Sequence, residues 1–506
     1  MSGRIIAQMA DERTSRKILE EVMRISAAVV DASTFDWKAY FEARATGEIF
    51  STKFYKYETS TSPLGEKMNA SVGLVAIPST ETEKNRDDFA NRNAFSYVDC
   101  NFVYNENSKR IPVAIAGQAG FSYYGKKDVG IITPQTYWGI EDHDTYYIVH
   151  FSDKKHEELG LVSTPWCKDF DGNEMGYGIV SKYYAGMIDS ILYSSSGLLS
   201  KTFLSHNSAH TELLKKGTGY TGSGSERTAY LLLMLWIKYA TKNSQTVFKG
   251  CTSYNYQYLV AEITENADYV VLSTANANNL VVGSAVSVGD PVDQTNYDRG
   301  QAYMRNIVER ARIVKIEEIS GTANSRVYLD TVFSTTATTR ISTMPCCSGT
   351  TDNVLGADGY IANDGKYAYR LNGVEDGIGA YFISLNEIWN KESATIVSYY
   401  ARKNAAWSGS SVQGYTKVAT VDMVNTSDAW IGDISIDLET GVQYPRVYGS
   451  GDSVGVGDRQ YKGGDGTGLK EALQRGYLAV GSHAGLSYAV LWDALSHAGW
   501  SFAVCV

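Results

Sequence analysis

The sequence predicts a mostly β fold with some α, divided into several domains, and three observations carry that expectation. At 506 residues the chain exceeds the size at which one hydrophobic core keeps growing. It holds 36 Tyr and 47 Gly but only 8 Pro, a balance that favours short aromatic strands joined by glycine turns. Runs such as AFSYVDCNFVY, VGIITPQTYWGI and TYYIVHF recur between Phe35 and Tyr220, bounded by Gly, Asn, Asp and Ser.

In chain order, Ile18, Leu19, Val22, Met23 and Ile25 fall at helical spacing among charges. Residues 1–30 are therefore read as an amphipathic helix, either packed on its own domain or serving assembly or attachment. Residues 31–254 are expected to form a β-rich domain with a buried helix near 225–242, where Ser225 caps an apolar run that closes on a lysine. The stretches DYVVLSTANANNLVVGSAVSVGD and ARIVKIEEISGTANSRVYLDTVF alternate strands with polar turns. They point to a small β-barrel or sandwich module over 255–345. The loop-like TMPCCSGTTDNVLGADG opens a last domain, 346–506.

The formal charge of −10, with no basic run, argues against nucleic-acid partners. The longest apolar run, AYLLLMLWI, is too short for a bilayer, which excludes membrane insertion through it. The start lacks the apolar core of a secretory signal, so synthesis is expected in the cytoplasm. Six scattered cysteines without a CxxC pair read as buried or incidental thiols.

Motifs that carry chemistry are sparse. GTGYTG at 217–222 matches GxGxxG but follows a helix-like TELLKK, and GGDGTG at 463–468 lacks the Lys and Ser/Thr of a phosphate loop. EDHD at 141–144 and DFDGNE at 169–174 offer oxygen ligands for calcium, yet the second misplaces the glycine of an EF-hand; solvated turns explain both. His206 and His210 share a helical face without the Glu of a metalloprotease. No GxSxG elbow is present. No catalytic residue and no cofactor are expected, with calcium and any other metal left open.

The ending is unusual. From Gly476 to Val506 there is no Lys, Arg, Gln, Glu, Met, Asn or Pro, and Asp493 is the single acidic residue. RGYLAVGSHAGLSYAVLWDALSHAGWSFAVCV resembles the closing variable region of diversity-generating-retroelement variable proteins, including phage tropism determinants. YRLNGVEDGIGAYFISLNEIW, at 369–389, resembles the opening of C-type-lectin domains of the formylglycine-generating-enzyme type, with their R-x-x-G-x-E-D-x-x-G stretch. The resemblance implies a C-terminal C-type-lectin-like fold with variable region 476–503. Its scaffold would be Gly476, Gly481, Ala484, Gly485, Leu486, Leu491, Ser496 and Trp500. The positions that vary and bind ligand would be Tyr477, Ala479, Val480, His483, Tyr488, Val490, Trp492, Asp493, His497, Gly499 and Ser501.

In that family template adenines are randomised, so an Asn codon AAC becomes NNC, which never yields Lys, Gln, Glu, Met or Trp. Trp492 departs from this rule, while Arg475 stands where the family often has Gly and Leu478 where it often has Trp. Such a surface is physically tolerable because exposed substitutions change stability by about 0.5 kcal/mol or less, against roughly 2–5 for truncating a core Leu or Phe.

From Leu486 to Ala494 apolar residues alternate. Hydrophobicity alone would bury Tyr488, Val490 and Trp492; the resemblance turns them outward and Ala489 and Leu491 inward. The function implied is a non-enzymatic phage receptor-binding protein at a tail-fibre tip, a homotrimer with other phage tail proteins as neighbours. Its ligand would be a bacterial surface protein or glycan, and its place the virion. The alternatives are a structural tail or baseplate protein without variable binding, and an oxidase of the formylglycine-generating type, which needs a cysteine pair where only Cys505 is near the end.

Overall fold

A computed structural model describes residues 31–506 except 296, 403–406, 423–427 and 464–465. The amphipathic segment expected over 1–30 lies outside the described residues, as does part of the 463–468 loop. The protein is mostly β with some α and is built from several sheets.

The first part carries two antiparallel sheets. Five strands run in the order Glu66–Asn69, Phe50–Tyr55, Tyr146–Ser152, Tyr137–Asp142, Val162–Ser163; four run Arg110–Ile115, Val98–Tyr104, Asp128–Pro134, Tyr177–Ser181. The segment 257–344 supplies all six strands of a third sheet, in the order Gln257–Leu259, Arg340–Met344, Ala285–Gly289, Val308–Glu318, Asn324–Phe333, Ala267–Ser273.

The C-terminal part contains a nine-stranded sheet. Its path runs Tyr415–Asp422, Ile396–Arg402, Tyr381–Lys391, Gly468–Gln474, Ala489–Val490, Arg459–Tyr461, Ala429–Ile436, Gln443–Gly449, and Phe502–Ala503 pairs in parallel with Tyr381–Phe382.

The helix Ser225–Met234, prolonged by a π-helical turn over Leu235–Tyr239, is buried on nearly every side. An apolar run without a polar face suits only a helix at the centre of a core. Its start differs from expectation. Gly224 is the N-cap and Ser225 the first helical residue. The Glu226 carboxylate accepts from Gly224 N, and Asn386 Oδ1 accepts from Ser225 N at 2.8 Å, so a side chain 161 residues away replaces the local cap.

The division into domains 31–254 and 346–506 needs correction, because the two segments share cores. Phe50, Trp138, Trp166 and Leu233 pack in one cluster with Tyr369, Leu371, Ile431 and Leu486. Phe102, Ile132 and Ile179 pack in another with Ile383, Leu473 and Phe502. Local patterning reports which residues are apolar but not which distant segment covers them.

The uncharged stretch 502–506 has a structural cause. Residues 502–506 are all buried. Val504 O accepts from Ala185 N at 2.8 Å, Cys505 O from Ser223 N at 3.0 Å, and Val506 N donates to Ser194 Oγ at 2.9 Å. A segment threaded through the interior has no place for an unpaired charge.

Candidate ligand-binding site

The R-x-x-G-x-E-D-x-x-G stretch is a buried hairpin. Tyr369–Leu371 pairs with Val374–Asp376 around Asn372 (φ 42°) and Gly373 (φ 86°), the two positive φ angles of a type I′ turn. Arg370 donates to the carbonyls of Thr351, Val354 and Gly356. The Glu375 carboxylate accepts from Gly349 N and Thr351 N. Asp376 is fully buried between two guanidiniums, accepting from Arg227 Nη1 at 2.6 Å and Arg475 Nε at 3.1 Å. Burial pushes the Asp376 carboxyl up, but Arg475 and Arg227 outweigh it and hold the group below its ordinary value. The motif is therefore structural: it ties the central helix, through Arg227, to the first residue of the closing region.

Arg475 itself adopts φ +69°, in the left-handed region that favours glycine. The strain is offset by hydrogen bonds to Asp376, to Leu486 O at 3.0 Å and to Thr228 Oγ1 at 3.2 Å.

Most of the expected scaffold is tightly fitted. A Cβ on Gly476 would lie 2.2 Å from Ala484 Cβ, and one on Gly485 would lie 1.9 Å from Asp458 Oδ1. Gly481 has φ +56°. Ala484, Leu486 and Leu491 are buried, as is Leu478. Two members behave otherwise: Ser496 is exposed, and Trp500 is only half-buried because it forms part of a cleft.

That cleft, about 330 Å³ and open to solvent, brings together Tyr477, Ala479, Trp492, Asp493, His497, Gly499 and Ser501. Tyr381 and Phe502 lie at its base, with ring centroids 5.7 Å apart, and Tyr477 stands 5.1 Å from Tyr381 and 5.6 Å from Trp500. Trp492, 57% exposed, stacks parallel on Tyr461 at 5.9 Å. Lys470 Nζ donates to Trp492 O at 3.0 Å, fixing the backbone there. His497 Nε2 lies 3.4 Å from Asp493 Oδ1. Burial raises the Asp493 carboxyl, opposed by His497 and then Lys470.

The opposite wall comes from the middle sheet module, through Asn255, Gln257, Asp298 and Arg299. Arg299 donates to Thr343 O at 2.8 Å and places its guanidinium 4.5 Å from the Trp500 ring. Burial pushes this guanidinium down to about 10. The sequence carries no signal for these four residues, since their relation to the closing region exists only once the module docks. With aromatic faces, amides, one imidazole and carboxylates, the cleft can hold a polar ligand by stacking and hydrogen bonds.

Four of the positions expected to face a ligand do not line this cleft. Val480 is half-buried against the scaffold, and His483 sits edge-on to Trp430 at 5.0 Å, where burial lowers its pKa, with Arg459 adding to the effect. Tyr488 and Val490 are corrections: both are buried, 2% and 4% exposed. The reason is that Ala489–Val490 is a two-residue strand between Gly468–Gln474 and Arg459–Tyr461, covered on both faces. Tyr488 and Val490 pack with Tyr381, Leu473 and Phe502, while Ala489 and Leu491 pack with Trp389, Val397 and Tyr399. Alternation marks inside and outside only where one face of a sheet meets water. Ser501 is also buried although it borders the cleft, and a Cβ on Gly499 would meet the Phe502 ring at 2.7 Å. Neither position admits a large side chain without displacing its neighbours.

No protein-family model matches the chain, and no curated protein matches it.

The other candidates are placed as follows. His206 and His210 are buried on the helix His206–Leu214, rings 4.6 Å apart; His210 lies 3.1 Å from Leu385 O and stacks on Trp407 at 4.5 Å. Burial pushes His206 down to about 4. Among the described residues, no group of three or more His, Cys, Asp or Glu is arranged to hold a metal. Asp169 is engaged by its own turn, accepting from Asp171 N and Asn173 N, and Glu141 contacts His143 and His150. Cys505 is buried and its thiol is raised to about 12 by burial, which leaves no reactive thiolate there.

Proposed function

We propose that this chain is a receptor-binding protein, a phage tail-fibre adhesin whose closing region presents a variable surface to a bacterial protein or glycan. The observation that supports the reading is the cleft itself. Seven side positions singled out from the sequence border one solvent-open concavity, while most of the glycines and apolar residues between them are buried. Tyr477, Trp492 and Trp500 offer rigid aromatic area at low entropic cost, and His497, Asn255 and Gln257 offer adaptable hydrogen bonding. A weak single site would gain from multiple copies on one particle, by about 10²–10⁴ in avidity. The homotrimer and the tail-protein neighbours belong to this proposal.

The burial of Tyr488 and Val490 narrows the surface that can vary to the cleft positions, Trp492 and His497 foremost. The rival reading, a structural tail protein, predicts no excess variation at these positions among near relatives. The oxidase reading needs a pair of cysteines, and Cys505, the one near the end, is free and buried.

Two measurements test the proposal. The DNA beside the gene should hold a near-copy of its 3′ end, differing at adenines, next to a reverse transcriptase gene. Labelled protein should adsorb to a bacterial host and lose adsorption when Trp492 and His497 are replaced by alanine. Adsorption unchanged by both substitutions, with no such DNA copy, would refute it.

A further inference from the structure

A second cavity, about 380 Å³, lies where the four-stranded sheet, the segment 165–175, the start of the central helix and the C-terminal sheet meet. It shares no lining residue with the cleft around Trp492. Arg402 lines it at the end of the strand Ile396–Arg402 and is 6% exposed. Among the described residues, none of its three guanidinium nitrogens has a hydrogen-bond partner, and none is reached by water. Trp166 and Ser108 border the same cavity, and each holds a buried, unpartnered group, the indole Nε1 and the hydroxyl, just behind its surface.

Leaving a guanidinium buried, dry and unpaired is among the costliest arrangements a fold can hold. Burial draws the Arg402 pKa below its ordinary value, with Tyr415, Tyr104 and Glu226 opposing, yet an arginine keeps its proton in proteins. Four carboxylates line the cavity, and none of them, Asp171 included, makes a hydrogen bond to Arg402. Glu226 is held by Arg110 at 3.2 Å and by Gly224 N, Glu439 by Lys168 at 2.5 Å, and Asp169 by its own turn.

We propose that this cavity binds a small organic carboxylate, with Arg402 as its ionic partner and Trp166 Nε1 and Ser108 Oγ as additional donors. Arginine and tryptophan can only donate, so their complement is a group that only accepts. A planar carboxylate matches the guanidinium fork in two parallel hydrogen bonds. The fixed carboxylates already in the lining disfavour a dianion such as phosphate. Trp166, Phe170 and Met175 supply apolar wall for the body of the ligand, and the Arg402 guanidinium lies 5.1 Å over the Phe170 ring. Binding requires the Arg402, Trp166 and Ser108 side chains to turn toward the space that they border, since none of the five donor atoms is exposed to it.

The test is calorimetric titration of the full chain with benzoate, with benzamide as its neutral counterpart, and with inorganic phosphate. Benzoate is expected to saturate one site per chain, while benzamide and phosphate give no saturable heat. Arg402→Met, which keeps the volume, should weaken benzoate roughly 10- to 100-fold, the range for losing hydrogen bonds to a charged group. Trp166→Phe removes one donor and should weaken it less, and benzoate should shift the Trp166 indole N–H resonance of the parent protein. Should Arg402→Met fail to fold, the Trp166→Phe titration and the indole resonance decide. Absence of benzoate binding, equal binding of benzamide, or full affinity retained by Arg402→Met would overturn the proposal.

Discussion

Arg475 Nε donates to Asp376 Oδ2 at 3.1 Å, and this contact joins the hairpin Tyr369–Asp376 to the first residue of the closing region. The same carboxylate holds Arg227 of the central helix. Asp376→Ala would leave two buried guanidiniums uncompensated and should destabilise the protein by about 3–5 kcal/mol in denaturant unfolding. Arg475→Gly should cost less, since glycine takes φ +69° without strain and Asp376 keeps Arg227. Equal losses for the two variants would contradict this account of the Arg475 position.

Substitution tolerance should split the closing region in a way the alternating pattern does not. Tyr488→Ala removes a buried ring and should cost about 3–5 kcal/mol, as for other large core aromatics. His497→Ala, at an exposed site, should change stability by about 0.5 kcal/mol or less. Thermal melts of the two variants, side by side, check the contrast.

Trp492 is the aromatic group best placed to meet a ligand, standing exposed on Tyr461. Trp492→Ala should lower affinity for a host surface by about 2 kcal/mol or more, the cost typical of a central aromatic contact. Its melting temperature should stay near that of the parent. Quantitative adsorption to host cells reads the first effect and calorimetry the second.

Glu387 is buried, and burial raises its carboxyl to about 7 against the hydrogen bonds it accepts from Ser384, Trp389 and Gln474. Its pKa when unfolded is about 4.3. Between those values the folded chain holds a proton that the unfolded chain has released, so this group's contribution to stability falls as pH rises. Glu387→Gln should therefore gain stability relative to the parent as pH is raised from about 4.5 to 7, with a slope of at most about one proton. Urea unfolding at several pH values measures it. A difference independent of pH would assign Glu387 no titration in that window.

Gly485 tests the fit of the scaffold. A methyl group there would collide with the Asp458 carboxylate, so Gly485→Ala should destabilise by about 1–3 kcal/mol, the usual cost of overpacking. Loss of cooperativity or a lowered midpoint in urea is the expected sign.

By itself the sequence determined the β-rich, several-sheet character, because Tyr, Val and Ile runs punctuated by glycine have few other uses. It also determined a buried helix near 225–242, found over 225–239, through an apolar run too uniform for any surface. The resemblance, not the residue pattern, set Gly476 and Gly485 apart from Trp492 and His497; in the fold the two glycines are closely fitted and the two side chains exposed. Hydrophobicity alone buried Tyr488 and Val490 while the resemblance turned them outward, and only the tertiary structure decided between the two: a strand of two residues flanked on both sides has no wet face. Only it decided that the first and last parts share cores, that Arg299 and Gln257 wall the cleft, and that Arg402 ends beside an open cavity without a partner. Those facts depend on which distant segments meet, and side-chain periodicity along a chain carries no record of distance across it.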